Sequence, residues 1–290
     1  MEIGEFLRHR KTVQTRVGEL AYTDIGEGPV ALFVHGVLVN GLLWRNVIGQ
    51  VADARRCVAI DLPLHGGSPP TADMSFHGFA DAVAALHETL DLGPVDLVGN
   101  DTGGLVCQLF AVRHPERLRS LTLTNCDVHD RVPPEAFKPA VELAKQGAFS
   151  AGLRAVLEQD DPAALRAAFA IAYERPDRLP VELLRAYLEP VVGTEERGRL
   201  FDQRMAAVDP DTLVRIEPEL RRLDVPTLLA WGTADDFFTM DDAQTLLGIL
   251  PRAELVAFEG AKLFFADERA DELVRHLRDH WMAAERTVVG

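Results

Sequence analysis

Short, uninterrupted runs of apolar residues recur along the chain, and longer segments of mixed polarity separate them. Residues 13–23 alternate in polarity as the strands of a hairpin do. The uninterrupted runs lie at 30–36, 56–63, 95–101, 120–127, 227–236 and 253–260. Strands that are buried on both faces have this pattern, and the strands of parallel sheets are buried in that way. The pattern therefore predicts a parallel sheet at the centre of the fold.

Between these runs, apolar residues take up helical spacing. This spacing covers residues 76–92, 103–114, 241–250 and 269–285. Alternation of strands and helices implies right-handed crossover connections. The expected fold class is therefore α/β, with a doubly wound, mostly parallel sheet that is flanked by helices.

Residues 131–215 interrupt this alternation. The stretch is rich in Ala, Leu, Arg and Glu, has no strand-like run, and is divided by prolines into four or five short helices. We interpret it as a helical cap that is inserted between the fourth and the fifth buried strand. Residues 1–130 and 216–290 then form the α/β core.

Charge narrows the classes of partner. The 290 residues include 30 Lys and Arg and 45 Asp and Glu, so the formal net charge is −15. Phosphates carry the same sign, which argues against nucleic acid and anionic membranes as partners. No apolar run reaches the roughly 18 residues of a membrane span, and the first residues lack the apolar segment of a signal peptide. We expect a cytoplasmic protein that acts on a small molecule, and the sequence does not indicate its oligomeric state.

The cysteines point to no special chemistry. Cys57, Cys107 and Cys126 are far apart and form no CxxC pair. This spacing predicts neither a zinc site nor a disulfide framework. Buried free thiols are the expectation, and no metal or other cofactor is expected.

Residues 95–110 carry the sharpest chemical signal. An apolar strand leads into Gly-Asn-Asp-Thr-Gly-Gly and then into an apolar helix. This is the pattern of a nucleophile elbow, with Asp101 at the position of the nucleophile. Gly99 and Gly103 favour this interpretation over a simple helix-capping Asp, because a sharp strand-to-helix turn needs neighbours without side chains. A carboxylate held at a helix N-terminus is a competent nucleophile towards an alkyl carbon.

Two other turns follow buried strands. His35 and Gly36 end the first uninterrupted run, and the N–H of Val37 comes next. Together with the N–H of Thr102 it would form an anion hole beside Asp101. The second turn, at residues 61–68, contains His65. We expect both histidines to fix loops rather than to catalyse.

These segments resemble the α/β-hydrolase superfamily, and within it the Asp-nucleophile branch of haloalkane dehalogenases and epoxide hydrolases. The His-Gly turn with LLWRN at 42–46, the elbow, and residues 113–125 and 228–236 carry a resemblance that covers nearly the whole chain. It implies a sheet of about eight strands, Asp101 as the nucleophile and Asp235 as the catalytic acid. Asn125 takes a strand-end position where some dehalogenases have their acid and others an Asn. Asp127 also stands at the end of this strand.

The sequence departs from that family where the catalytic histidine is expected. The loop after the last strand has Leu263 or Phe264 at that position, and no histidine occurs between His129 and His276. The general base that would hydrolyse an ester of the nucleophile is thus missing from its place. We predict that no histidine lies within hydrogen-bonding reach of Asp101. His129 is the one candidate replacement, because Lys262 would be charged at neutral pH.

The residues that hold the leaving group differ as well. The resemblance implies a Trp after the nucleophile and either an Asn after His-Gly or a Trp in the cap, whereas this chain has Thr102 and Val37 there and no Trp in the cap. Epoxide hydrolases use two cap tyrosines to protonate the epoxide oxygen. Tyr173 and Tyr187 are candidates for that role, and packing is the alternative.

Three functions stay open on this basis. The first is a hydrolase in which Asp101 attacks a small apolar electrophile that is haloalkane-, epoxide- or ester-like. The second is an isomerase, lyase or cyclase in which Asp101 is a general acid or base, with a pKa raised by an apolar pocket. The third is a catalytically impaired binding relative. The pocket is expected to contain Phe265 and these candidate substrate-binding residues: His35, Leu38, Trp44, Asn125, Tyr173, Tyr187, Leu263 and Phe264.

Overall fold

The computed structural model describes residues 1–289, and the surroundings of side chains up to residue 286. One sheet of eight strands forms its centre, in the order β1-β2-β4-β3-β5-β6-β7-β8. The strands are β1 (Arg10–Thr15), β2 (Gly18–Ile25), β3 (Val30–Val34), β4 (Arg56–Ile60), β5 (Val95–Asp101), β6 (Leu118–Cys126), β7 (Thr227–Gly232) and β8 (Ala253–Phe258). β2 runs antiparallel to both β1 and β4, and the other neighbouring strands are parallel. The predicted α/β fold with a mostly parallel sheet is confirmed.

Helices cover the sheet and fill the long connection between β6 and β7. They are α1 (Ile3–Arg8), α2 (Arg45–Val51), α3 (Phe76–Thr89), α4 (Thr102–Arg113), α5 (Lys138–Lys145), α6 (Phe149–Glu158), α7 (Pro162–Phe169), α8 (Val181–Val192), α9 (Glu195–Ala206), α10 (Thr212–Leu220), α11 (Met240–Ile249), α12 (Phe265–Glu268) and α13 (Ala270–Val289). No helix within residues 1–289 is long and apolar enough to cross a membrane.

The burial of each strand explains its sequence pattern. Every residue of β3, β5 and β7 is buried, as strands covered by helices on both faces must be. The edge strand β1 alternates between half-buried and exposed positions, which is why it carries polar residues. The sheet core is thus apolar, and polar side chains concentrate where strands end.

The inserted segment is helical, as its composition predicts. Helices α5–α9 lie between β6 and β7 and are called the cap below. The expected boundary at residue 215 falls inside α10, which packs against α4 of the core. A division before Thr212 therefore separates the two parts of the fold better than one after residue 215.

Candidate active site

Asp101 ends β5 on a strained turn into α4. Its backbone has φ 55° and ψ −133°, a conformation that residues with a side chain rarely adopt. Side chains are excluded on both sides of this turn. A Cβ on Gly99 would overlap with Cys107, and one on Gly103 would overlap with the carbonyl oxygens of β3 and His35. The turn therefore has the geometry of a nucleophile elbow, with Asp101 at its tip.

Two backbone N–H groups hold the carboxylate of Asp101. The N–H of Val37 donates to Oδ2 over 2.8 Å, and the N–H of Thr102 also donates to the carboxylate. Gly36 makes this approach possible, because a Cβ there would overlap with Oδ2 of Asp101. The two donors that the sequence assigns to an anion hole thus converge on the carboxylate itself.

The environment of Asp101 opposes its negative charge. The residue is only 5% exposed, and this burial raises its pKa to about 7. Hydrogen bonds from Val37 and Thr102 and the positive charge of Arg204 lower the pKa, but by less than burial raises it. At neutral pH the carboxyl group is therefore close to its midpoint of ionisation.

A cavity of about 220 Å³ lies over Asp101, between the core and the cap. Most of its wall is apolar. The apolar residues that line it include Leu38, Phe76, Phe137, Phe149, Leu153, Phe169, Ile171, Phe237, Phe238, Leu263 and Phe264. Of the expected pocket residues, Leu38, Leu263 and Phe264 are thus part of this wall, whereas Trp44 and Phe265 are not.

Two charged residues that the sequence did not reveal as functional also line this cavity. Asp127 follows β6, and Arg204 comes from α9 of the cap. Their side chains are buried, with 3% and 8% of the residue exposed. The guanidinium of Arg204 lies 4.6 Å from the ring centre of Phe76 and 5.1 Å from that of Phe79. One sequence signal could have found it, because Arg204 lies on the apolar face of α9 with Phe201 and Met205.

Most of the chain matches a known family. Residues 29–270 match the family described as the alpha/beta hydrolase fold. The protein belongs to the α/β hydrolase family.

Individual relatives of this α/β hydrolase have different activities. It is 29% identical over 266 residues to a pimeloyl-[acyl-carrier protein] methyl ester esterase of Chromobacterium violaceum, covering 88% of this chain and 95% of the relative. It is 24% identical over 297 residues to a cis-3-alkyl-4-alkyloxetan-2-one decarboxylase of Xanthomonas campestris, covering 92% and 94%. Among solved structures, a putative ancestral haloalkane dehalogenase superposes with a TM-score of 0.79 at 20% identity, over 95% of this chain and 99% of the other.

The histidines of this α/β hydrolase are engaged elsewhere. Nε2 of His35 accepts from the N–H of Leu62 at 2.9 Å, so its Nδ1 donates to the carbonyl oxygen of Gly36 at 2.7 Å. His129 pairs with Glu217 at 2.6 Å and with Asp130 at 3.2 Å. In the described part of the chain, no histidine hydrogen-bonds to Asp101.

The expected position of the catalytic histidine is apolar. Leu263 and Phe264 are buried against the cavity. The Leu263 carbonyl accepts from the Asn100 side chain at 3.0 Å, and the Phe264 N–H donates to the Ala172 carbonyl at 3.0 Å. Lys262 instead pairs with Asp236 over 3.2 Å on the exposed side of the loop. This loop therefore presents no general base to Asp101.

Asp235 has an amide rather than an imidazole as its partner. Nδ2 of Asn125 donates to Oδ2 of Asp235 over 2.7 Å, and the N–H of Phe237 donates to Oδ1 over 2.9 Å. Burial raises the pKa of Asp235 to about 7, although these two hydrogen bonds and a third from the backbone of Phe238 lower it. Neither Asp235 nor Asn125 lines the cavity. The expected acid is thus present without a base to orient.

The other expected substrate contacts lie outside the cavity wall. Tyr173 donates to Asp267 over 3.4 Å, and burial raises the pKa of both Tyr173 and Tyr187. Trp44 packs on Phe33 at a ring distance of 5.4 Å. His35 fixes its own loop, as the preceding contacts show. Tyr173 and Tyr187 thus lie beside the buried ion pair of Arg45 with Asp267, and Trp44 lies in the apolar core.

Proposed function

We propose that this α/β hydrolase is an enzyme in which the carboxylate of Asp101 attacks carbon of a small apolar electrophile. The product of the first step is an ester between Asp101 and the substrate, and water then hydrolyses that ester. Haloalkanes, epoxides and reactive esters are the candidate substrate classes.

The hydrogen bond from Val37 to Oδ2 of Asp101 is the observation that carries this proposal. When one carboxylate oxygen bonds to carbon, the other becomes the carbonyl oxygen of an ester. Hydrolysis of that ester places negative charge on this carbonyl oxygen. The Val37 N–H lies 2.8 Å from Oδ2, and donors at about 2.7–3.1 Å stabilise such a charge.

The cavity supports a small, apolar substrate. Its volume is about 220 Å³, somewhat larger than the roughly 150 Å³ apolar cavity that accommodates benzene. Phenylalanine side chains give the cavity an apolar wall beside the carboxylate, and apolar surroundings strengthen the electrostatic interactions within the site. The names of the two relatives describe a methyl ester and an oxetan-2-one, which are both oxygen-containing electrophiles.

A second candidate is supported by the environment of Asp101. Its pKa of about 7 suits a general acid or base at neutral pH, and no described histidine bonds to it. The protein would then catalyse an elimination, isomerisation or cyclisation without a covalent intermediate.

Intact-protein mass spectrometry with butyl bromide and butene oxide separates the two candidates. Nucleophilic attack gives an alkyl or hydroxyalkyl adduct that maps to the peptide with Asp101, or steady release of butanol or butanediol. Asp101→Ala should abolish both signals. Asp236→Ala, which removes an exposed carboxylate in the loop after β7, should leave them unchanged. If neither reagent gives an adduct or a product with the unaltered protein, the nucleophilic proposal is wrong.

A further inference from the structure

Three charged groups surround the cavity without bonding to one another. Asp101 comes from the elbow, Asp127 from the end of β6, and Arg204 from the cap. No ion pair or hydrogen bond joins these side chains within the described residues, and Nη2 of Arg204 is buried without a partner. They nevertheless influence one another electrostatically. A small molecule between them would therefore meet all three.

Asp127 is the least satisfied of the three. Its carboxyl group is buried, and among the described residues it receives a hydrogen bond only from its own backbone N–H. The contact that Gln108 makes is to the backbone carbonyl of Asp127, at 2.9 Å, and not to its side chain. A buried carboxyl group with so little hydrogen bonding is costly for a fold. Hydrogen bonds within the described residues therefore give little reason for an Asp at this position.

We propose that Asp127 donates and accepts the protons of the reaction at Asp101, and that the substrates are epoxides. In an epoxide, the oxygen that leaves the attacked carbon stays in the product as a hydroxyl group. This inference rests on the proposed nucleophilic role of Asp101. It assigns to one carboxyl group the tasks that the family's tyrosines and histidine would otherwise perform.

The surroundings assign a different protonation state to each carboxyl group. Asp101 receives two backbone N–H hydrogen bonds that favour its charged form. Asp127 has no comparable donors, and its burial, together with the negative charges of Asp101 and Asp242, raises its pKa well above the ordinary value. Arg204 balances one negative charge of the pair. Asp101 therefore ionises first, while Asp127 keeps its proton.

With Asp101 ionised and Asp127 protonated, both groups needed to open an epoxide are present. An oxygen of Asp101 forms a bond to an epoxide carbon, and the bond between that carbon and the epoxide oxygen breaks. The electron pair goes to the oxygen, which takes the proton of Asp127. The result is a hydroxyalkyl ester of Asp101 and a carboxylate at Asp127.

The second step restores both groups. The Asp127 carboxylate takes a proton from water as the water oxygen bonds to Cγ of Asp101, and negative charge forms on Oδ2 beside the Val37 N–H. The bond from Cγ to the alkyl oxygen then breaks, and that oxygen takes the proton from Asp127 to give a diol. Asp101 retains an oxygen and a proton from water, and it passes this proton to Asp127.

A halide leaving group fits the site less well. A leaving halide needs N–H donors but no proton. Tryptophan is the donor that the resemblance to dehalogenases implies, and none of the three tryptophans is among the described residues that line the cavity. The N–H groups of Val37 and Thr102 already serve Asp101. Among the described residues of the wall, the guanidinium of Arg204 is the N–H donor left for a leaving group. An oxygen leaving group, which can also take a proton from Asp127, therefore makes fuller use of the site.

The test compares two reagents that share an alkyl chain. Attack on butene oxide needs a proton for the leaving oxygen, whereas attack on butyl bromide does not. In Asp127→Asn, we expect modification of Asp101 by butene oxide to slow by about 10²–10⁴-fold, while modification by butyl bromide stays within a few-fold. Asp130→Asn is the matched control, because it removes an exposed carboxylate of the same loop.

The outcomes separate this inference from the proposed function. Equal losses with both reagents, or no loss with butene oxide, would overturn the role of Asp127. Modification of the unaltered protein by butyl bromide but not by butene oxide would overturn the epoxide assignment and leave the nucleophilic role of Asp101 intact. Failure of both reagents would overturn the nucleophilic role itself.

A measurement on the unaltered protein keeps the test valid if Asp127→Asn does not fold. Modification by both reagents should increase with pH as Asp101 ionises. Only the reaction with butene oxide should decline again at higher pH, as Asp127 loses its proton in the presence of Arg204, Asp101 and Asp242. Identical pH profiles for the two reagents would contradict the inference.

Discussion

The N–H of Val37 donates a 2.8 Å hydrogen bond to Oδ2 of Asp101, although the two residues lie 64 positions apart in the chain. The carboxylate of Asp101 thereby accepts from a donor that the sequence assigns to an anion hole. A carbonyl oxygen of the substrate would have to displace it to use the same donor. Under the proposed function, substrates that are attacked at an alkyl carbon suit this geometry, because hydrolysis of the resulting ester places negative charge on Oδ2 of Asp101, beside the same N–H.

Gly36 is required for this contact, and its substitution gives a sharp prediction. In Gly36→Ala the new methyl group overlaps with Oδ2 of Asp101, so the carboxylate or the loop must move. We expect a loss of about 1–3 kcal/mol in the free energy of unfolding and about 10²-fold slower alkylation of Asp101, because small misplacements of reacting groups are costly. Urea denaturation and the rate of adduct formation measure the two effects.

Gly152→Ala is the matched control for that substitution. Gly152 lies in α6, and a Cβ there has no heavy atom within 4 Å. Alanine in a helix should stabilise the protein by up to about 1 kcal/mol and leave alkylation unchanged. Equal effects of the two substitutions would contradict a specific role for Gly36.

Local sequence was sufficient to predict the elbow and the sheet. Gly99, Asp101 and Gly103 lie within one turn, so their mutual geometry follows from their spacing. The apolar runs likewise reported strands that are buried on both faces. These features need no knowledge of distant contacts.

The rest of the site depends on tertiary packing. Asp127 and Arg204 are 77 positions apart by their residue numbers and meet only because α9 of the cap folds over the end of β6. Tyr173 and Tyr187 are the opposite case, because the sequence suggests them as site residues and the structure places them outside the cavity wall. They are cap aromatics as expected, but the cap directs them towards Asp267 rather than into the cavity. Composition marks such a segment as a cap and does not tell which helix face meets the substrate.

Ionisation of the buried Asp101 is expected to lower the free energy of unfolding as the pH rises. Its pKa is about 7 in the folded protein and roughly 3.9 in an unfolded chain. The folded state thus binds more protons between these values, and its free energy of unfolding falls as pH increases from about 4 to about 7. Asp127, Arg204 and Asp235 are the other charged groups that interact with Asp101.

Asp101→Asn tests this linkage because the amide cannot ionise. We expect the variant to exceed the unaltered protein in stability at about pH 8 by up to about 4 kcal/mol, with little difference near pH 4. Urea denaturation at both pH values measures the difference. Asp224→Asn, at an exposed carboxylate, should show no comparable dependence. A gain that does not vary with pH would contradict the raised pKa of Asp101.

Arg204 is expected to keep Asp101 reactive at neutral pH. Its positive charge lowers the pKa of Asp101, so Arg204→Met should raise that pKa above about 7. A rise from about 7 to about 8 would reduce the ionised fraction at pH 7 roughly fivefold. The rate of alkylation by butyl bromide should fall accordingly at pH 7 and recover at higher pH.

Arg199→Met is the control for Arg204→Met, because Arg199 is an exposed arginine of the same helix. Its alkylation profile should match that of the unaltered protein. If alkylation in Arg204→Met does not recover at high pH, Arg204 acts by positioning rather than by its charge.

A histidine placed at the cavity wall should supply the base that the loop after β8 lacks. Leu263 and Phe264 both border the cavity, and the test is made in Asp127→Asn, where we expect the butyl ester of Asp101 to persist. Leu263→His or Phe264→His should shorten the lifetime of this ester by about 10²-fold. We expect this lower end of the range for a general base because Asp235 is already bonded to Asn125 and is not free to orient the new histidine. Mass spectrometry follows the decay of the adduct, and Leu143→His, at an exposed position of α5 outside the cavity wall, is the control that should change it little. Equal lifetimes in both variants and their parent would show that a missing base does not limit hydrolysis of the ester.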